Sequence, residues 1–97
     1  MSNNKCAILD LTNCQTKTEL HQRIQDSLKF SDYYGKNWHA FWDCLNFDCV
    51  FDRIIIYGTK SLPEILKVDI ENMYKIMDNY KAQSLKSGIT FSYEINS

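Results

Sequence analysis

Arg53-Ile54-Ile55-Ile56-Tyr57-Gly58 is the stretch whose reading decides the fold. A run of β-branched residues is stiff at Cβ, packs well on a pleated surface and loses freedom in a helix. It is short, apolar at both parities and closed by a glycine. That pattern predicts a strand buried on both faces of a parallel sheet.

Helical patterns lie on both sides of this strand. Upstream, Trp38, Phe41, Trp42 and Leu45 recur at i, i+3, i+4 and i+7 behind Asn37, a plausible N-cap, with a glycine-containing loop over Ser31 to Lys36 before it. Further back, Thr16-Lys17-Thr18-Glu19 has capping-box spacing, and Leu20, Ile24 and Leu28 follow on one helix face, with Arg23 and Asp26 pointing elsewhere. Lys5 to Leu11 reads as a short buried strand. Downstream, Ser61 to Leu66 carries Pro63 where a first helical turn tolerates it. From Asp69, the residues Ile70, Met73, Met77 and Tyr80 repeat at helical spacing until Ser87-Gly88. Ile89, Phe91, Tyr93 and Ile95 then alternate with polar residues, as in a half-buried edge strand. Strands separated by helical crossovers predict one α/β domain over residues 1–97: three parallel strands packed with about four helices.

Tyr33-Tyr34-Gly35-Lys36-Asn37-Trp38-His39-Ala40-Phe41-Trp42-Asp43-Cys44-Leu45 is the unusual segment, with two Tyr, two Trp and one Phe. On a helical wheel His39, Asp43 and Asn46 form a narrow polar stripe beside Trp42, and His39 and Asp43, at i and i+4, are within reach of each other. In an ordinary amphipathic helix these aromatics are core and Asp43 merely faces water. In a recognition helix, large rigid aromatics flank a carboxylate that is desolvated on binding and pairs with a basic cleft.

The pattern Tyr33-Tyr34-Gly35-x-Asn37-x-x-Ala40-x-Trp42-Asp43-Cys44-Leu45 resembles the signature of the barstar family, intracellular inhibitors of barnase-type ribonucleases. The likeness extends more loosely to chain length, to Leu20-His21 in the first helix and to the order of elements. It implies strand order 1-2-3 and an inhibitory surface made of the second helix and the loop before it. Asp43 matches the aspartate that takes the place of an RNA phosphate among the nuclease's arginines. Tyr33, Gly35, Asn37, Trp38 and Trp42 match neighbouring contact positions, and His39 and Asn46 complete the expected partner-binding set. The family often carries an acidic residue where this chain has His39. Its later acidic contact falls on Asp78, Asn79 or Lys81, depending on where a two-residue gap is placed.

Composition bounds the alternatives. The chain has 97 residues, 44% hydrophobic and 24% charged, and a formal net charge of −1. One core is feasible at this size. No basic field exists to hold a nucleic acid by its phosphates, whereas a basic protein, an extracellular-type ribonuclease, is compatible as partner. No apolar run approaches a membrane span. The expectation is a cytoplasmic protein, monomeric when free, without metal or cofactor. Cys6, Cys14, Cys44 and Cys49 lack paired zinc spacing, and Cys6 and Cys44 fall in apolar surroundings, so they read as small reduced, buried thiols. Catalysis is not expected: His39 and Cys44 lie about 140° apart around one helix, and no phosphate-binding glycine loop is present. The remaining alternative is an immunity protein or binding module for a different toxin or enzyme on the same scaffold.

Overall fold

β2, Arg53–Tyr57, is the middle strand of an all-parallel sheet in the order β1-β2-β3, with β1 at Cys6–Asp10 and β3 at Ser92–Asn96. The structure, a computed structural model, describes residues 5–32 and 34–96. Ile54 pairs with Ala7 and Tyr93, and Ile56 pairs with Leu9 and Ile95. Helices α1 (Lys17–Leu28) and α2 (Trp38–Phe47) lie between β1 and β2, and α3 (Lys67–Lys86) lies between β2 and β3.

The sheet has one covered face. Ala7, Leu9, Ile54 and Ile56 are buried, while Cys6, Ile8, Asp10, Arg53 and Tyr57 are exposed and Ile55 is half-buried. The expectation that β2 is buried on both faces is therefore corrected. The reason is topological: two right-handed crossovers that step across the sheet in the same direction deposit their helices on the same side. Cys6 shares the outward parity, which corrects its reading as a buried thiol; Cys14 and Cys44 are buried and Cys49 half-buried, all four unpaired.

Three α-helices form rather than about four. The segment around Pro63 makes two 3-10 turns, Thr59–Ser61 and Glu64–Leu66, the second running into α3. Pro63 offers no N–H, Gly58 at φ 80° turns the chain before it, and too few residues remain for a separate helix to nucleate. Gly58 is required for a second reason. A Cβ there would lie 2.4 Å from the backbone nitrogen of Thr12, at the exit of β1.

The α1 cap forms in modified fashion. Thr16 Oγ1 accepts from the Glu19 N–H at 3.1 Å, but the Glu19 carboxylate reaches back to Gln15 rather than Thr16 and also pairs with Arg23 at 2.7 Å. Leu20, Ile24 and Leu28 of α1 meet Phe41 and Leu45 of α2, Met73 and Met77 of α3 and the covered sheet face in one continuous core. Of the alternating C-terminal residues, Phe91 is buried and Tyr93 half-buried, but Ile89 and Ile95 are exposed, because β3 is an edge that the helices only partly reach. Among the described residues no helix is long and apolar enough to cross a membrane, and no group of three or more His, Cys, Asp or Glu side chains is placed to hold a metal ion.

Candidate functional site

α2 is a short helix built to hold one face outward. Asn37 caps it: Oδ1 accepts from the Ala40 N–H at 2.8 Å, and Nδ2 donates to the Gly35 carbonyl at 3.2 Å, so one side chain ties the preceding loop to the first turn. At the other end, the Asp48 carboxylate accepts from the Ser31 hydroxyl at 2.9 Å, and the Asp48 N–H closes on Cys44. The loop is pinned in its middle as well. Tyr34 is buried, and its hydroxyl shares a 2.5 Å hydrogen bond with Nδ1 of His21 in α1. Tyr33 lies outside the described residues.

Beneath the helix sits a polar cluster that no periodicity announced. The Trp38 ring packs on His21 with centroids 4.5 Å apart and meets Phe41 edge-on. Its indole N–H donates to Asp69 Oδ1 in α3 at 3.1 Å, and Lys17 of α1 approaches the same buried carboxylate at 3.8 Å. Burial lowers the pKa of His21, and the charges of Lys17 and Lys36 push the same way against Asp69. Burial raises the Tyr34 phenol well above its ordinary range. The neutral forms are thus the ones the fold holds.

The outer face of α2 has two depressions. One, about 280 Å³, lies between α2 and α3 and is lined by Trp38, His39, Trp42, Ile76 and Asn79. Trp42 is half-buried and meets Tyr80 edge-on. Asn46 donates to the Trp42 carbonyl and accepts from Gln83 of α3 at 2.8 Å, so its amide holds the two helices together. The other depression, about 230 Å³, is lined by Ala40, Asp43, Cys44, Phe47 and Asp48. Asp43 is exposed and borders this second depression, whereas His39 borders the first. The ion pairs among the described residues are Lys17–Asp69, Arg23–Glu19, Arg53–Glu94 and Lys67–Glu64, and none uses Asp43.

Of the three positions on the last helix, Asp78 accepts from the Tyr93 hydroxyl at 2.7 Å, Asn79 lines the groove beside His39 and Trp42, and Lys81 is exposed. Burial, helped by that Asp78 contact, pushes the Tyr93 phenol up to about 12. Sequence reading missed two things here. The contacts of His21 and Asp69 join residues far apart in the chain and had no local signal. Phe47 did have one: it is apolar and four residues from Asp43, hence on the face turned to water.

Fold and face together define a small α/β domain with a braced helix that carries an exposed carboxylate near the middle of its outward side. The chain belongs to the family described as Barstar (barnase inhibitor), whose family model matches residues 4–96. A Bacillus subtilis (strain 168) protein named "Putative ribonuclease inhibitor YrdF" is 45% identical over 38 residues, which is 39% of this chain and 42% of that protein. The match thus spans about two fifths of that relative's length.

Proposed function

We propose that the protein inhibits a basic, extracellular-type ribonuclease by laying the outer face of α2 and the loop before it across the nuclease's active site. The observation that carries this is the position of Asp43. Its carboxylate stands exposed on a helix braced at both ends, outside the ion pairs among the described residues. A site that holds an RNA phosphate with arginines also holds a fixed carboxylate, and a preorganised one loses little entropy in binding. Family membership supports the class of activity. Gly35, Asn37, Trp38, His39, Trp42 and Asn46, with Tyr33, form the rest of the proposed contact surface; in Asn37, Trp38 and Asn46 the polar groups also brace the helix, so their substitution affects fold and binding together.

Asp43→Ala tests the reading. Truncating one partner of a desolvated charge pair costs about 2–5 kcal/mol or more, a general range for which the barnase–barstar pair is itself a defining example. The variant should melt close to the parent, since Asp43 is exposed, while losing most of its inhibition in a ribonuclease titration. An Asp43→Ala protein that inhibits as well as the parent refutes the mechanism.

A further inference from the structure

We propose that Phe47 is a second anchor of the inhibitory face, seated in an apolar recess beside the basic groups that receive Asp43; this rests on the proposed function and extends it. Phe47 is 85% exposed, more than any other large hydrophobic residue among the described ones. Its position is not a frayed end. The N–H groups of Asp48 and Cys49 both close on the Cys44 carbonyl at 2.8 Å, and the Asp48 carboxylate is tied to Ser31, so the backbone that carries the ring is fixed.

Phe47 lies one turn beyond Asp43, about 40° around the helix, and the two border the same depression with Ala40, Cys44 and Asp48. Val50, three residues further on and past the helix end, is also exposed, at 58%. An aromatic ring held rigidly beside a carboxylate does two things on docking. It fills a pocket at small entropic cost, and it keeps water from the ion pair next to it, as the apolar surroundings of interface anchors do. The partner is therefore a ribonuclease whose cleft carries an apolar wall next to its phosphate-binding arginines. Trp42, about 100° around the helix from Asp43 in the other direction, lines the first depression, so Asp43 falls between two aromatic positions on the helix surface.

The test compares the parent, Phe47→Ala, Phe47→Leu and Asp43→Ala against purified barnase as probe, reading inhibition constant, dissociation rate and melting temperature. Phe47→Ala should weaken inhibition about 10- to 100-fold through faster dissociation. Phe47→Leu should recover most of that loss, and neither should lower the melting temperature. Because the contact itself is apolar, the ratio of parent to Phe47→Ala should change less between about 0.1 M and about 1 M salt than the ratio to Asp43→Ala, which should shrink. Inhibition unchanged in Phe47→Ala but lost in Asp43→Ala overturns the anchor and leaves the proposed function standing. A parent that does not inhibit, or inhibition that survives Asp43→Ala, overturns the function and the anchor with it. A parent that is dimeric by light scattering, made monomeric by Phe47→Ala with its inhibition constant unchanged, assigns the ring to a second copy and also overturns the proposal.

Discussion

Trp38→Phe removes one hydrogen-bond donor from beneath α2 and keeps an aromatic ring in its place. The Asp69 carboxylate, on a side chain only 11% exposed, then loses the indole N–H at 3.1 Å and retains Lys17 at 3.8 Å, whose side chain is 66% exposed. A lysine so open to water screens a buried charge weakly. A hydrogen bond to a charged group is worth about 1.5–3 kcal/mol, and the smaller ring also gives up contact with His21 and Phe41. The expected destabilisation is about 2–3 kcal/mol, which for a domain of this size lowers the melting temperature by roughly 10–15 °C. Asp69→Asn keeps an acceptor for the indole and should cost less, on the order of 1 kcal/mol. Calorimetric melts at neutral pH of the parent, both single variants and the double variant close a thermodynamic cycle. Additive effects, or a Trp38→Phe melt within about 2 °C of the parent, refute the view that α2 is held from below by this bond.

Stability should fall on acidification because His21 is held neutral by burial: its folded pKa lies below the ordinary 6.5, the unfolded chain binds the proton first, and the stability present above the unfolded value is lost as pH falls through the folded one. The melting temperature should therefore drop between about pH 7 and pH 5, and His21→Gln should flatten that slope; an equally steep slope in the variant assigns it elsewhere. Brief alkylation of the folded protein should mark Cys6 first, because burial raises the thiols of Cys14, Cys44 and Cys49, with the charge of Asp48 next in importance for Cys44; all four should react after unfolding, and labelling of Cys44 as fast as Cys6 contradicts this. His39→Asp should speed association with a cationic nuclease at low salt. Slower association with the true partner instead makes His39 a contact to an acidic group on that partner.

The architecture was legible where the chain speaks locally. The Ile54-to-Tyr57 run, the Leu20, Ile24 and Leu28 face and the Asn37 cap each encode their own element, and the structure shows the three-stranded parallel sheet they imply. Burial of β2 on both faces was over-read from composition alone, although strand order 1-2-3 with right-handed crossovers already demands one open face. The turns around Pro63 look helical because 3-10 and α turns share their residues, and only length and the left-handed Gly58 separate them. At the site, the exposure of Asp43 followed from the helical wheel. The supports did not: Tyr34 with His21 and Trp38 with Asp69 join residues 13 and 31 apart, and such pairings are made by packing, which no periodicity records.

The bracing of α2 by α3 also sets when α2 takes its final setting during synthesis. Asp69 and Gln83, which hold Trp38 and Asn46, leave the ribosome after every residue of α2. A nascent chain halted before Lys67 carries Asp43, Trp42 and Phe47 but lacks α3, the outer wall of the Trp42 groove and the β3 edge. A chain halted there lacks the residues that hold Trp38 and Asn46, so α2 gains its brace only once α3 has been made.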